Sequence, residues 1–468
     1  MSRALARAAG AAALVLAACA PLGPDYARPA LELPADYPEP AAGTAALPAD
    51  WWRAFGDPTL DALVGAARER NADLRVAAAQ LEEAEAALRE VDAGRYPQVD
   101  LSFTNSESRV SALTALPNPQ PRIRLERRLA ASTAFELDFW GRLRRGVEAA
   151  RAQALASRYG RDTVALTLAG TVAQAYFALR ALDAQIAFTR ATLAAREEAL
   201  ALARVRVAGG VAPELEERQA EVARADAAVQ RDDLVRQRKV IAHQLAQLTG
   251  RAGSEVAAGT FDALPVPPQP PAGLPSALLE RRPDVRAAEQ ALVAANARIG
   301  VAKAALFPTI SLTGSLGGQS ASFADLLLQG ARIWSIGFGL ALPLFDAGRA
   351  EARVEQAEAR QRQAVALYQR AAESAFREVA DALSNLELAR QSEDALKTRR
   401  TAARRALELA QARHAAGYSG YLEVLDAQRS ANDAELAAIR NRQALLGYSV
   451  DLMKALGGGW APAGSASR

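Results

Sequence analysis

The chain is poor in the residue types that carry most catalytic and metal chemistry. One cysteine, Cys19, in 468 residues excludes an internal disulfide and any multi-thiolate zinc site. With two histidines, His243 and His414, no histidine-based metal or catalytic cluster is visible. Two methionines, Met1 and Met453, leave a thioether-lined path for copper or silver unsupported. No nucleophile-base pairing, phosphate loop or ligand spacing stands out, so catalysis is not expected. Charge of one sign is lacking too. The chain has 56 Lys and Arg against 53 Asp and Glu, and a balance of +3 gives no electrostatic reason for a nucleic-acid partner. Beyond the amino terminus no segment supplies 18 consecutive apolar residues, so the pattern predicts no transmembrane helix. Aromatics make up 6%, while half the residues are apolar with alanine dominant, a composition that suits closely packed helices.

The amino terminus has a targeting pattern. Arg3 and Arg7 precede the short apolar run from Ala8 to Ala20, which marks residues 1–18 as a signal peptide. Cys19 ends Leu16-Ala17-Ala18-Cys19, which resembles the lipobox of bacterial lipoproteins, where the peptide is cut before the cysteine and the thiol is acylated. Removing residues 1–18 deletes two bases and no acid, leaving 54 bases against 53 acids. Seven prolines between Ala20 and Pro48 disfavour helix, and residues 19–57 are expected to form an extended tether holding Cys19 some distance from the folded body.

Internal repetition organises the rest. Asp73-Leu74-Arg75-Val76-Ala77-Ala78 is echoed by Asp284-Val285-Arg286-Ala287-Ala288, and Tyr96-Pro97-Gln98-Val99 by Phe307-Pro308-Thr309-Ile310. Arg206, Gly210 and Leu215 are echoed by Arg413, Gly417 and Leu422. A first repeat over 58–265 and a second over 276–457 follow, joined by a proline-rich connector at 266–275, with a flexible tail at 458–468. Two-residue alternation predicts strands at about 97–110 and 128–139, and again at about 308–317 and 333–344. A half-buried sheet in a soluble sandwich would alternate in the same way. Two features favour the membrane: each segment is about 10 residues, the length a tilted membrane strand needs, and the chain carries a lipidation signal. Four strands cannot close a barrel, and open edges cannot exist in lipid, so several chains must share one barrel.

Between the hairpins lie proline-free stretches. Long helices are expected at about 142–208 and 347–416, each about 100 Å at 1.5 Å per residue, with return helices at about 213–250 and 421–456. Gly209-Gly210 and Gly417 supply the stops, and Pro213 starts the first return. The apolar heptads are not sustained enough for a fibrous coiled coil.

In this order, Gly23-Pro24-Asp25-Tyr26, Trp51-Trp52-Arg53-Ala54-Phe55-Gly56-Asp57-Pro58, the two proline-initiated strand pairs and Gly417-Tyr418-Ser419-Gly420-Tyr421-Leu422-Glu423-Val424-Leu425-Asp426 resemble the TolC-type outer-membrane efflux lipoproteins. The resemblance implies a mixed α and β membrane protein. Four strands per chain would contribute to a trimeric 12-stranded β-barrel, continued into the periplasm by an α-helical barrel. It implies a homotrimer anchored in the outer membrane by lipid on Cys19. It also implies work with a periplasmic adaptor and an inner-membrane resistance-nodulation-division transporter to expel drugs or other small toxic compounds. The expected cofactor is none beyond that lipid. A duct for type I protein secretion would share the architecture, and a structural lipoprotein without a channel is a further alternative. By resemblance, Arg413, His414 and Asp426 would form a periplasmic gate, with Arg413 and Asp426 holding the helix ends inward. Relatives often carry tyrosine where His414 stands, and a histidine there would make gating pH-sensitive. Gly209, Gly210, Val211, Gly417 and Tyr418 would form the tip that docks the adaptor.

Overall fold

A computed structural model describes residues 21–31, 34, 50–111, 113, 123–251, 253, 256–259 and 280–459. The signal peptide, Cys19 and the 266–275 connector lie outside the described residues. The elements are α1 (Pro58–Arg70), α2 (Ala72–Ala93), β1 (Gln98–Arg109), β2 (Ile123–Glu136), α3 (Arg142–Ala208), α4 (Glu214–Leu248), α5 (Pro283–Ala304), β3 (Thr309–Ser320), β4 (Arg332–Ala341), α6 (Arg349–Ala415) and α7 (Tyr421–Ala455). Each half thus runs helix, hairpin, long helix, return helix. Both long helices have 67 residues and both return helices 35, so the duplication extends to element length. The chain divides into two compact units, Met1–Ala30 with Gln80–Arg158 and Ala287–Tyr368, and Leu31–Ala79 with Tyr159–Arg286 and Gln369–Arg468.

The first unit holds a four-stranded antiparallel sheet in the order β1-β2-β3-β4. Its register sorts the side chains into two faces. One face carries Val99, Leu101, Phe103, Leu129, Leu312, Leu316, Trp334, Ile336, Phe338 and Leu340. The other carries Asp100, Ser102, Ser132, Thr313, Ser315 and Ser335. The apolar face is exposed, with Trp334 and Ile336 at 73% and 77%, which a soluble sandwich would bury. β1 and β4 each keep one edge unpaired among the described residues.

The strand limits differ from the sequence expectation for local reasons. β4 stops at Ala341 because Pro343 has no N–H for the ladder. β2 stops at Glu136 because Asp138 turns to accept the Leu143 and Arg144 N–H groups at the start of α3. At the other end β2 begins at Ile123, and Ile123–Arg127 pair with Arg109–Asn105 although their charged residues blur the alternation. β3 runs on through Gly317 and Gly318 to Ser320.

Residues 21–30 of the expected tether are not free: they form neither helix nor strand and are pinned within the first unit. Leu22 N–H donates to Trp140 O, Arg145 binds Leu22 O and Asp25, and Asn296 donates to Pro24 O. Arg28 forks onto buried Glu289 at 2.7 and 3.0 Å, and the Tyr26 hydroxyl joins it at 3.1 Å. Buried Glu289 takes its charge partner from this segment, and Arg145 divides its guanidinium between Asp25 and Glu148 of its own helix, so the segment is held by charge as well as by shape.

The second unit contains the main apolar core. Trp51, Trp52 and Phe55, in a short 3-10 helix, pack with Leu60, Leu168, Val172, Tyr176, Phe177, Leu179, Leu245, Leu446, Val450 and Met453. Asp57 caps α1 through the Thr59 and Leu60 N–H groups and also accepts the Tyr176 hydroxyl. Within α3 one 18-residue window is apolar enough, by length and composition, to cross a membrane, but 61% of it is buried in the protein. Its hydrophobicity is explained by core packing.

Candidate gate at the helix turns

In the second unit, α3 turns into α4 and α6 turns into α7 by the same device. Gly210 and Gly417 adopt φ of 72° and 78°, which favours glycine. Val211 N–H reaches back to Arg206 O and Gly210 N–H to Val207 O, and Tyr418 and Gly417 repeat the pattern onto Arg413 and His414. These are Schellman closures, which satisfy the last carbonyls of each long helix. Val211 and Tyr418, 71% and 81% exposed, project from the two turns.

Each hairpin is tied by an arginine in its last turn to a glutamate in the first turn of the return helix. Arg206 meets Glu216 at 3.3 Å and Arg413 meets Glu423 at 3.2 Å. Both partners recur at the 207-residue spacing, so the two pairs are equivalent by duplication. Their surroundings are not. Glu216 is buried, whereas the Arg413 and Glu423 side chains are about half exposed.

His414 explains the difference, since its counterpart in the first repeat is Val207. The His414 ring lies at a side-chain exposure of 16%, with Nδ1 3.1 Å from Ser419 O and Nε2 3.0 Å from Arg206 Nη1. A carbonyl only accepts, so Nδ1 carries the proton and Nε2 accepts from the guanidinium. Glu216 Oε1 stands 3.6 Å from the same Nε2. The Tyr421 ring packs on the imidazole at 5.6 Å. Burial and then the Glu216 charge push the Tyr421 hydroxyl above its ordinary range, with Arg196 opposing. One cluster therefore links α3, α4, α6 and α7.

Of the residues the sequence pointed to, His414 is in this cluster, and Arg413 sits beside it facing Glu423. Asp426 is exposed and bonded at 2.8 Å to Arg429 on its own helix; within this chain it does not meet Arg413. Asp426 and Arg429 line an open cleft of about 890 Å³ between α4 and α7, with Arg218, Asp226, Asp233 and Asp433. Arg206 and Glu216 carry no motif of their own, but Arg206 is the repeat partner of Arg413, and the same 207-residue spacing applied to Glu423 leads to Glu216. Among the described residues, no group of three His, Cys, Asp or Glu side chains is placed to hold a metal ion.

Comparison with known proteins places this arrangement in context. The family model described as outer membrane efflux protein matches residues 63–251 and 274–458, one stretch in each repeat. The outer membrane protein OprJ of Pseudomonas aeruginosa is 38% identical over 462 residues, covering 96% of this chain and 94% of that protein. The probable outer membrane lipoprotein SilC of Salmonella typhimurium is 31% identical over 467 residues, covering 95% and 97%. The crystal structure of the open state of the Neisseria gonorrhoeae MtrE outer membrane channel superposes with a TM-score of 0.84 at 32% identity, covering 94% of this chain and 98% of that one. With its exposed apolar sheet, its four strands and its paired long helices, the chain belongs to the outer membrane efflux protein family.

Proposed function

We propose that the protein is the exit duct of a tripartite efflux pump, passively conducting drugs or other small toxic compounds from periplasm to exterior. The observation that carries this reading is the sheet. It exposes a continuous apolar face and leaves β1 and β4 each with an open edge, which lipid does not tolerate. Three copies joined edge to edge give 12 strands and a closed wall. The serine- and threonine-rich face then lines the lumen. Acylated Cys19, in keeping with the lipoprotein named among the relatives, adds an anchor. A periplasmic adaptor docks at the turns through Gly209, Gly210, Val211, Gly417 and Tyr418, and a resistance-nodulation-division transporter drives export. Arg206, Glu216 and His414, with Arg413 paired to Glu423 beside them, restrain the turns and so gate the entrance.

Two measurements test this. Native mass spectrometry in detergent should give a trimer, and the purified protein should conduct ions across a planar bilayer. A folded, membrane-inserted monomer, or trimers that never conduct, would overturn the proposal.

A further inference from the structure

The β3–β4 loop does not simply cross between strand ends. Phe323 stacks edge-on against Phe103 at 6.0 Å, and Leu326 O lies where a Cβ on Gly318 would fall. Phe103 and Gly318 share one cross-strand row on the apolar face, so the loop is folded back over that face. Arg127 donates to Ala321 O, Leu328 N–H to Asp325 O, and Ala331 N–H to Leu328 O, while Leu326 is buried. The loop is therefore held in place. Yet Phe323, Leu327 and Leu328 stay 66%, 83% and 58% exposed. A pinned loop that presents three large apolar side chains beside an apolar face is matched to hydrocarbon and not to water.

Basic side chains flank it on the same face. Arg332 is in the row of Phe103 and Gly318, and Arg127 is in the next row outward with Ser320. They are two strands apart, about 10 Å across the sheet at the usual strand spacing. Between them β3 offers only Gly318 and Ser320. Arg109 lies further out on β1, and the acids nearby are Glu107 on β1 and Asp325 in the loop.

We propose that this loop and the two arginines, at the end of the sheet away from α3 and α6 and therefore on the outer side of the membrane in the duct proposed above, form a seat for a phosphorylated, multiply acylated lipid of the outer leaflet. Phe323, Leu327 and Leu328 contact its acyl chains, and Arg127 and Arg332 bind its phosphates, as guanidinium suits phosphate oxygens. This rests on the apolar face being the membrane face of a conducting barrel.

The test uses full-length purified protein and native mass spectrometry after incubation with diphosphoryl lipid A, its dephosphorylated form, or phosphatidylglycerol. Wild type should retain diphosphoryl lipid A through detergent exchange and bind the other two about tenfold more weakly. Arg127→Gln with Arg332→Gln, and separately Leu327→Ser with Leu328→Ser, should each weaken retention about tenfold. Arg124→Gln, on the opposite face, should not. Equal retention by the arginine double variant, or equal retention of phosphatidylglycerol by wild type, would overturn the proposal. Bilayer conductance of the same preparations separates the two readings: conducting protein without lipid selectivity refutes the seat alone, whereas protein that does not conduct refutes the duct.

Discussion

Replacing Arg206 by alanine is the sharpest probe of the turn cluster. The guanidinium holds Nε2 of His414 at 3.0 Å and Glu216 at 3.3 Å, so its loss removes one contact of α3 to α4 and one to α6 at once. Hydrogen bonds to charged groups contribute about 1.5–3 kcal/mol, and here a buried carboxylate is also left with only His414 beside it at 3.6 Å. A cost of about 2–4 kcal/mol to the restrained state follows. The equivalent Arg413→Ala breaks a pair whose side chains are 58% and 47% exposed, for which about 0–1 kcal/mol is typical. Since about 1.4 kcal/mol is tenfold in an equilibrium, Arg206→Ala should shift the closed-to-open equilibrium in planar bilayers roughly 25-fold or more. Arg413→Ala should stay within about fivefold of wild type. Asp426→Ala, which loses only a contact to its own helix, should sit near wild type as well. The resemblance instead implies that Arg413 and Asp426 hold the helix ends inward. If Arg413→Ala opens the channel as much as Arg206→Ala with trimers intact, the reasoning from burial is refuted.

Two further outcomes are expected. Burial and the Asp57 hydrogen bond push the Tyr176 hydroxyl from 10.0 up to about 12. A raised folded-state value means that this contribution to stability is complete below pH 10 and is lost as pH rises towards 12. Thermal melts should therefore fall over that window, and Tyr176→Phe should remove that part of the fall; an unchanged alkaline slope would contradict the account. Cys19→Ser should abolish incorporation of labelled palmitate, and labelling equal to wild type would exclude Cys19 as the acylated residue.

Sequence legibility followed the range of the forces involved. Alternation along a strand and glycine at a helix stop are local signals, so the apolar face from Val99 to Leu340 and the turns at Gly210 and Gly417 were readable residue by residue. Repetition extended that reach, because equal spacing identifies equivalent positions without contacts. What the spacing could not convey is which of the two equivalent pairs is shielded: Glu216 is buried, whereas Glu423 is about half exposed.

Secondary structure, duplication and the demand for partner chains were determined by the sequence itself, because periodicity, proline placement and unpaired edges are properties of the chain. Tertiary structure decided the rest. Prolines keep residues 21–30 out of helix, but only packing brought Arg145 and Glu289 against them, turning this part of an expected tether into a clamped segment. A tryptophan pair before a helix carries no mark of its destination, and the fold put it at the centre of a core assembled from segments hundreds of residues apart. His414 has the same local surroundings in any long helix. Folding alone places it among Arg206, Glu216 and Tyr421, because those contacts join four helices that periodicity describes one at a time.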